Sequence, residues 1–319
     1  MKCLSIITLI PYASCFSGQR MSNLASRSAS PLFATSNPNE DHESSLSRRD
    51  MFQSSMKGLA LASLLSTVNP SSQAFAEEEP TPASSSIDKI VVAGATGQTG
   101  SRIYNRLLAQ SSITVKGGVR NVDKAAKSFP KGSTLSHLDV VEDSLADLTQ
   151  TLQGSNGLII ACGMNPTKNL LRMSKAAHEV DNVGTIKLID AAKEAGVKKV
   201  VLVSSILTNG REWGQESSPG FVATNAFGGA LDEKLAAEKH LRASGLDYTI
   251  VRPGGLKGSA PAGELTFYKE DSLNSGEVSR DFVADACVAA LNEAKASNTV
   301  VEIIENESKP VKPLFWQLM

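Results

Sequence analysis

A doubly wound α/β domain built on a parallel sheet is the fold this chain predicts, and three observations carry the prediction. Short β-branched runs alternate with amphipathic helical patterns between residues 87 and 305. The central runs, such as 90–93, 158–161 and 200–203, are continuously apolar and do not alternate, as strands covered on both faces must be. The first run, Ile90-Val91-Val92-Ala93, leads directly into Gly94, Gly97 and Gly100 and then into a helical pattern.

The elements follow in order. Strands are predicted at 90–93, 114–119, 135–138, 158–161, 199–203, 248–251 and 300–304 from their Val, Ile and Leu content. Helices are predicted at 101–110, 144–152, 183–195, 231–244 and 282–293, where apolar residues recur at three- and four-residue spacing. This is one domain of about 240 residues with a small C-terminal elaboration. No internal repeat interrupts it.

The glycine spacing is the most informative feature. Gly94 can turn the chain off the strand, Gly97 lets backbone approach a pyrophosphate, and Gly100 allows close packing of the following helix. Thr96, Gln98 and Thr99 share this loop, and the unpaired N–H groups and positive dipole end of the helix attract phosphate. A dinucleotide is expected here; the alternative is a tight turn without a ligand.

The end of the second strand selects between NADH and NADPH. It carries Arg120, with Lys124 a turn later and no acid before Asp123, which favours NADP(H) over a surface charge at a strand end. Asp139 and Val140 follow the third strand, where the adenine edge is received. Cys162 and Gly163 follow the fourth, where the chain passes a ribose. Turn chemistry is the competing account of both.

The chain has 319 residues, 41% of them hydrophobic, and a formal charge of −1. That balance argues against nucleic acid as a partner. The first 76 residues read as a multipartite targeting presequence. Residues 1–15 resemble a signal peptide, and 17–39 are serine-rich with Arg20 and Arg27 and no acid. Phe16 after Ala-Ser-Cys resembles the import signal of plastids acquired by secondary endosymbiosis. Arg48-Arg49, an apolar run at 58–68 and Ala74-Phe75-Ala76 then resemble a twin-arginine export signal, which implies the thylakoid lumen, with the stroma as the alternative. The apolar run is shorter than the roughly 20 residues of a spanning helix, so no span is expected in the mature chain. Residues 77–86 form a solvated linker, and 87–319 the domain. Cys162 and Cys287 read as two buried thiols in preference to a bridge.

Taken together, Gly94-x-x-Gly97-x-x-Gly100, Val203-Ser204-Ser205, Lys234 and the run Tyr248 to Gly255 resemble an atypical short-chain dehydrogenase/reductase. With Val180-Asp181-Asn182-Val183-Gly184, Ala237-Glu238-Lys239 and Ser279-Arg280-Asp281, the resemblance narrows to plastid NAD(P)-binding Rossmann proteins related to flavin reductases and to Tic62. It covers nearly all of 87–305. It implies that Lys234 holds the nicotinamide ribose, that Ser204 bonds the substrate or the nicotinamide amide, and that Pro253 and Gly254 carry the backbone past the nicotinamide. The alternatives are a solvated lysine paired with Glu238, a serine capping the next turn, and a structural strand exit.

One departure weighs against the usual chemistry. Family enzymes of standard type carry a tyrosine four residues before the lysine as proton donor; here that position is Ala230. The resemblance therefore implies a reductase whose planar acceptor, such as a flavin, quinone or tetrapyrrole, needs only hydride, or a non-catalytic NADP(H) sensor or scaffold with a protein partner at the thylakoid. His137, His178 and His240 lack metal-ligand spacing. Residues 208–229, with Trp213, Phe221 and Phe227, are expected to cover the substrate, and the apolar run 314–318 to pack on the domain or dock elsewhere.

Overall fold

The computed structural model describes residues 86–165, 169–226 and 228–310. The predicted targeting segments, most of the linker, Phe227 and the apolar run 314–318 lie outside them.

Six of the seven predicted strands come first, β1 (Lys89–Ala93), β2 (Thr114–Val119), β3 (Leu135–His137), β4 (Gly157–Ile160), β5 (Lys199–Val203) and β6 (Asp247–Pro253), and the seventh, predicted at 300–304, is the last strand among the described residues. Beyond them lie β7 (Gly255–Lys257), β8 (Glu264–Lys269), β9 (Glu277–Ser279) and β10 (Thr299–Asn306). The main sheet has eight strands in the order β3-β2-β1-β4-β5-β6-β10-β8. All neighbours are parallel except β8, which runs antiparallel to β10 at the edge. The β7–β9 pair and this edge strand make up the C-terminal elaboration. Strand order reverses between β1 and β4, and crevices for ligands form at such a point outside the carboxyl ends of the strands.

Helices cover both faces: α1 (Gly100–Leu108), α2 (Val122–Ala126), α3 (Leu145–Leu152), α4 (Leu170–Ala176), α5 (Thr185–Glu194), α6 (Pro219–Asn225), α7 (Ala230–Ala243) and α8 (Arg280–Ala289). The alternation of β1 shows the two cores. Ile90 and Val92 pack with Ile103, Leu107, Phe282 and Val283 from α1 and α8, whereas Val91 and Ala93 pack with Leu148, Leu188, Ile189 and Leu241 from α3, α5 and α7. Arg102 and Arg106 of α1 bind Asp281 of α8 at 3.3 and 2.9 Å, tying the first face together.

One element differs substantially from expectation. The helix predicted at 183–195 is preceded by α4 and by a π-helical segment, Ala177–Gly184, so helical structure begins at Leu170. The widened turn has a local cause: the Thr185 hydroxyl donates to the Val180 carbonyl at 2.8 Å, and a Cβ at Gly184 would approach the Glu179 carbonyl oxygen to 2.6 Å. The same close approach sets Gly184 against Val140 at the end of β3.

Candidate functional site

The glycine turn is built by close contact. Gly94 has φ +79°, and a Cβ there would lie 2.9 Å from the Ala161 carbonyl oxygen at the end of β4. A Cβ on Gly100 would collide with the Gly94 carbonyl oxygen, and one on Gly97 would reach that same atom at 3.1 Å. Gly100 is therefore required by the turn itself. Gly94 and Ala95 donate to the Gly118 carbonyl at 3.2 Å, and Gly97 donates to Gly94 at 2.9 Å. No side chain caps α1, in contrast to α2, α3 and α4, where Asn121, Ser144 and Asn169 accept backbone N–H groups. No side chain therefore occupies the start of α1, where the Gly97 carbonyl accepts the Ser101 N–H at 2.9 Å.

This turn opens onto a cleft of about 570 Å³. Of the residues singled out from sequence, Gly94, Thr96, Gly97, Gln98, Arg120, Asp139, Val140, Cys162 and Gly163 line it. Thr99 and Gly100 are buried beneath the turn, and Lys124 sits on α2 outside the lining. Asp139 accepts the N–H groups of Val141 and Glu142 at 3.0 and 3.4 Å, so its carboxylate shapes the wall. Burial, aided by Asp181, pushes the Cys162 thiol up to about 12, which keeps it a neutral wall residue. Both Cys162 and Cys287 are free.

The sequence reading missed another part of the lining, Arg172 and Ala176 from α4 and Val180 from the π-helical segment. Their spacing of four places them on one helical face, a signal hidden because no helix was expected there.

Lys234 lies just behind Gly163. Its Nζ donates to Asp181 Oδ1 at 2.8 Å, and Asp181, 1% exposed, also accepts the Met164 N–H at 3.2 Å. A Cβ at Gly163 would stand 3.5 Å from that carboxylate and 3.9 Å from the ammonium. Glu233 holds His178 and Asn182 at 3.1 and 2.6 Å, fastening α7 to the π-helical segment. Glu238 is not the partner of Lys234.

Glu238 belongs to a separate buried network. The Ser204 hydroxyl donates to it, Thr208 donates at 3.1 Å, and Arg252 Nη2 lies 2.6 Å away. Arg252, fully buried, also meets Asp271 at 2.8 Å, Glu270 at 3.2 Å and Glu302 at 3.6 Å. Burial works against its charge, but these acids hold the guanidinium protonated. Pro253 accepts the Ile206 N–H at 3.0 Å, Gly254 donates to Ile303 at 3.0 Å, and a Cβ at Gly254 would come within 2.5 Å of Gly276. Ser204, Lys234, Pro253 and Gly254 do not line the 570 Å³ cleft. Ala230 opens α7 and is 7% exposed. In the segment 208–229, Phe221 and Trp213 pack with Ile206, Leu207 and Leu231.

The residues fit a dinucleotide: a glycine cradle that any Cβ would obstruct, a helix with no side-chain cap, and at the end of β2 the Arg120 guanidinium, unpaired among the described residues. Comparison with known proteins agrees. A family model described as NAD(P)H-binding matches residues 94–294. Over 226 residues the chain is 45% identical to an uncharacterised chloroplastic protein of Arabidopsis thaliana, across 70% of this chain and 78% of the relative. The chloroplastic protein TIC 62 of the same plant is 32% identical over 249 residues, which is 71% of this chain but 37% of the longer protein. Among solved structures, ChuY, an anaerobillin reductase of Escherichia coli O157:H7, matches with a TM-score of 0.55 and 27% identity, over 70% of this chain and 99% of that one. The chain belongs to the NAD(P)H-binding family, with the Rossmann-type fold of an atypical short-chain dehydrogenase/reductase.

Proposed function

We propose that this protein binds NADPH in preference to NADH and uses it as a reductase of a planar conjugated acceptor in the plastid. The observation that carries the reading is Arg120: it lines the cleft at the end of β2, and its guanidinium has neither a hydrogen bond nor an ion pair among the described residues. A guanidinium placed there matches a ribose phosphate by charge and by its planar fork.

The chain's own groups then divide the work. The glycine turn lets the loop backbone between Gly94 and Gly100 approach a pyrophosphate, and Asp139 fixes the wall that meets adenine. Lys234 has three donors and gives one to Asp181, which leaves two for ribose hydroxyls while Asp181 fixes its position. NADPH bound there supplies hydride, and a flavin, quinone or tetrapyrrole accepts it onto a conjugated system with the proton taken from water. Without a tyrosine at Ala230, the protein contributes position and orientation in place of a proton donor. The reductase name of ChuY supports this reading.

A second reading, a non-catalytic NADP(H)-binding sensor or scaffold at the thylakoid, is favoured by Ala230 and by the commitment of Ser204 to Glu238. The chloroplastic relatives and the presequence pattern support a plastid address, with Arg48-Arg49 pointing to the lumen; a tagged copy retained in the stroma would remove the lumen. Among the described residues no helix is long and apolar enough to cross a membrane.

The decisive experiment titrates the purified protein with NADPH and NADH by nucleotide fluorescence, with Arg120→Ala alongside. The expected result is tighter NADPH binding and a loss of about tenfold or more of that preference in the variant, the weight of a charged hydrogen bond. Binding of neither nucleotide overturns the proposal. NADPH oxidation with flavin or quinone, lost in Lys234→Ala, selects the enzyme; binding without turnover selects the sensor.

A further inference from the structure

Arg102, Arg106, Arg211, Arg242, Arg252 and Arg280 each donate to a carboxylate or a carbonyl. Arg120 and Arg172 make no side-chain hydrogen bond or ion pair among the described residues, and both line the same 570 Å³ cleft. They come to it from different elements. Arg120 ends β2, whereas Arg172 stands on α4, one face of which continues through Ala176 to Val180. Val180 packs with the cluster that contains Val140, and Gly184 is pressed against Val140, so this face stands over the end of β3.

Among the described residues neither guanidinium is paired with the acid in the cleft. Asp139 spends its Oδ1 on the N–H groups of Val141 and Glu142, and the buried Asp181 behind the wall is paired with Lys234. Two cations facing one cavity repel each other unless an anion lies between them. The pyrophosphate of a dinucleotide is already served by the glycine turn and the uncapped α1. A second anion remains, with a charge of roughly −1.5 to −2 and several acceptor oxygens, which suits two forks better than one.

We propose that Arg172 is a second determinant of nucleotide choice, holding the adenosine 2′-phosphate with Arg120 between two guanidiniums. This rests on the nucleotide reading above and goes beyond it in assigning part of the selectivity to α4, a segment far in sequence from the end of the second strand. The chemistry predicted is specific to the phosphate. Arg172→Ala should spare every contact made to the rest of the dinucleotide.

The test measures dissociation constants of the full protein, Arg172→Ala and Arg172→Lys for NADPH, NADH and the fragments 2′,5′-ADP and 5′-AMP. For Arg172→Ala, binding of NADPH and of 2′,5′-ADP should weaken about tenfold or more, while NADH and 5′-AMP change less than about twofold. Arg172→Lys should recover part of the loss, because it keeps the charge and loses the fork. Unchanged melting in the absence of nucleotide would exclude misfolding, as expected for an exposed side chain without partners. Equal weakening of NADPH and NADH would mean contact with the shared adenosine and would overturn the proposal, as would no change for either. If the unaltered protein binds neither nucleotide, the nucleotide reading itself fails. If Arg120→Ala loses the preference and Arg172→Ala keeps it, only the present inference fails.

Discussion

The two ends of the sheet's carboxyl edge spend their polar groups differently. At the ends of β1 to β4 a cleft opens, Arg120 and Arg172 have no side-chain partner among the described residues, and no side chain caps α1. At the ends of β5 and β6 the polar groups serve one another: Ser204, Thr208 and Arg252 converge on Glu238, and Arg252 gathers three further acids. Charge left unsatisfied in a cleft is a preparation for a ligand, whereas charge satisfied under cover is architecture. Lys234 lies between the two cases, anchored by one carboxylate and still 22% exposed.

The sharpest way to break this contrast is Arg252→Met. Removing one partner of a buried pair leaves Glu238 and Glu302 uncompensated, both with fully buried side chains, and should cost about 3–5 kcal/mol. Denaturant unfolding should register that loss, while the folded fraction should keep its NADPH affinity within about twofold. A variant of normal stability and impaired affinity would move Arg252 from the framework to the site.

A smaller effect separates conformational need from contact. Gly94 and Gly229 both have positive φ, +79° and +76°, but a Cβ at Gly229 would meet nothing within 4 Å, whereas at Gly94 it would meet Ala161. Each change to alanine should cost about 1–2 kcal/mol from the left-handed backbone. Only Gly94→Ala should also weaken nucleotide binding, since only there must the cleft wall shift. Equal affinities in both variants would show that the turn tolerates displacement.

These contrasts also explain what could be read from the chain. The strand ends from β1 to β4 were legible because each carries its signal locally: a glycine rhythm, an arginine where an acid is usual, apolar runs that stop abruptly. The role of Gly100 was legible as a need for smallness but not as contact with Gly94, which depends on the folded turn. Arg172 was not legible, because α4 and the π-helical segment lack a regular apolar stripe and are stabilised by tertiary contacts such as Glu233 with Asn182. The pairing of Arg252 with Glu238 bridges β6 and α7, and that of Lys234 with Asp181 bridges α7 and the π-helical segment; neither partner could be chosen from spacing along one helix. Glu238, four residues after Lys234, was the obvious local candidate, and tertiary structure gave it another use.

The smallest expected effect tests whether Arg252's surroundings are balanced or merely crowded. Burial raises the pKa of Glu302 from its ordinary value, although N–H groups from Leu273, Ser272 and Asp271 and the nearby Arg252 pull the other way. A raised value means that the folded protein holds this proton more tightly than the unfolded chain does. The stability it contributes is therefore complete below the ordinary carboxylate range and is lost as pH rises through the raised value. Acids elsewhere, such as Asp281 beside Arg106 and Arg102, are shifted downward and give the opposite slope, so the measurement must be a difference. Unfolding free energies of the protein and of Glu302→Gln, compared from the ordinary carboxylate range upward, should show the advantage of the unaltered protein shrinking with pH and then levelling. A difference that grows with pH would mean that the three backbone donors and Arg252 outweigh burial, and that this carboxylate strengthens the network most when charged.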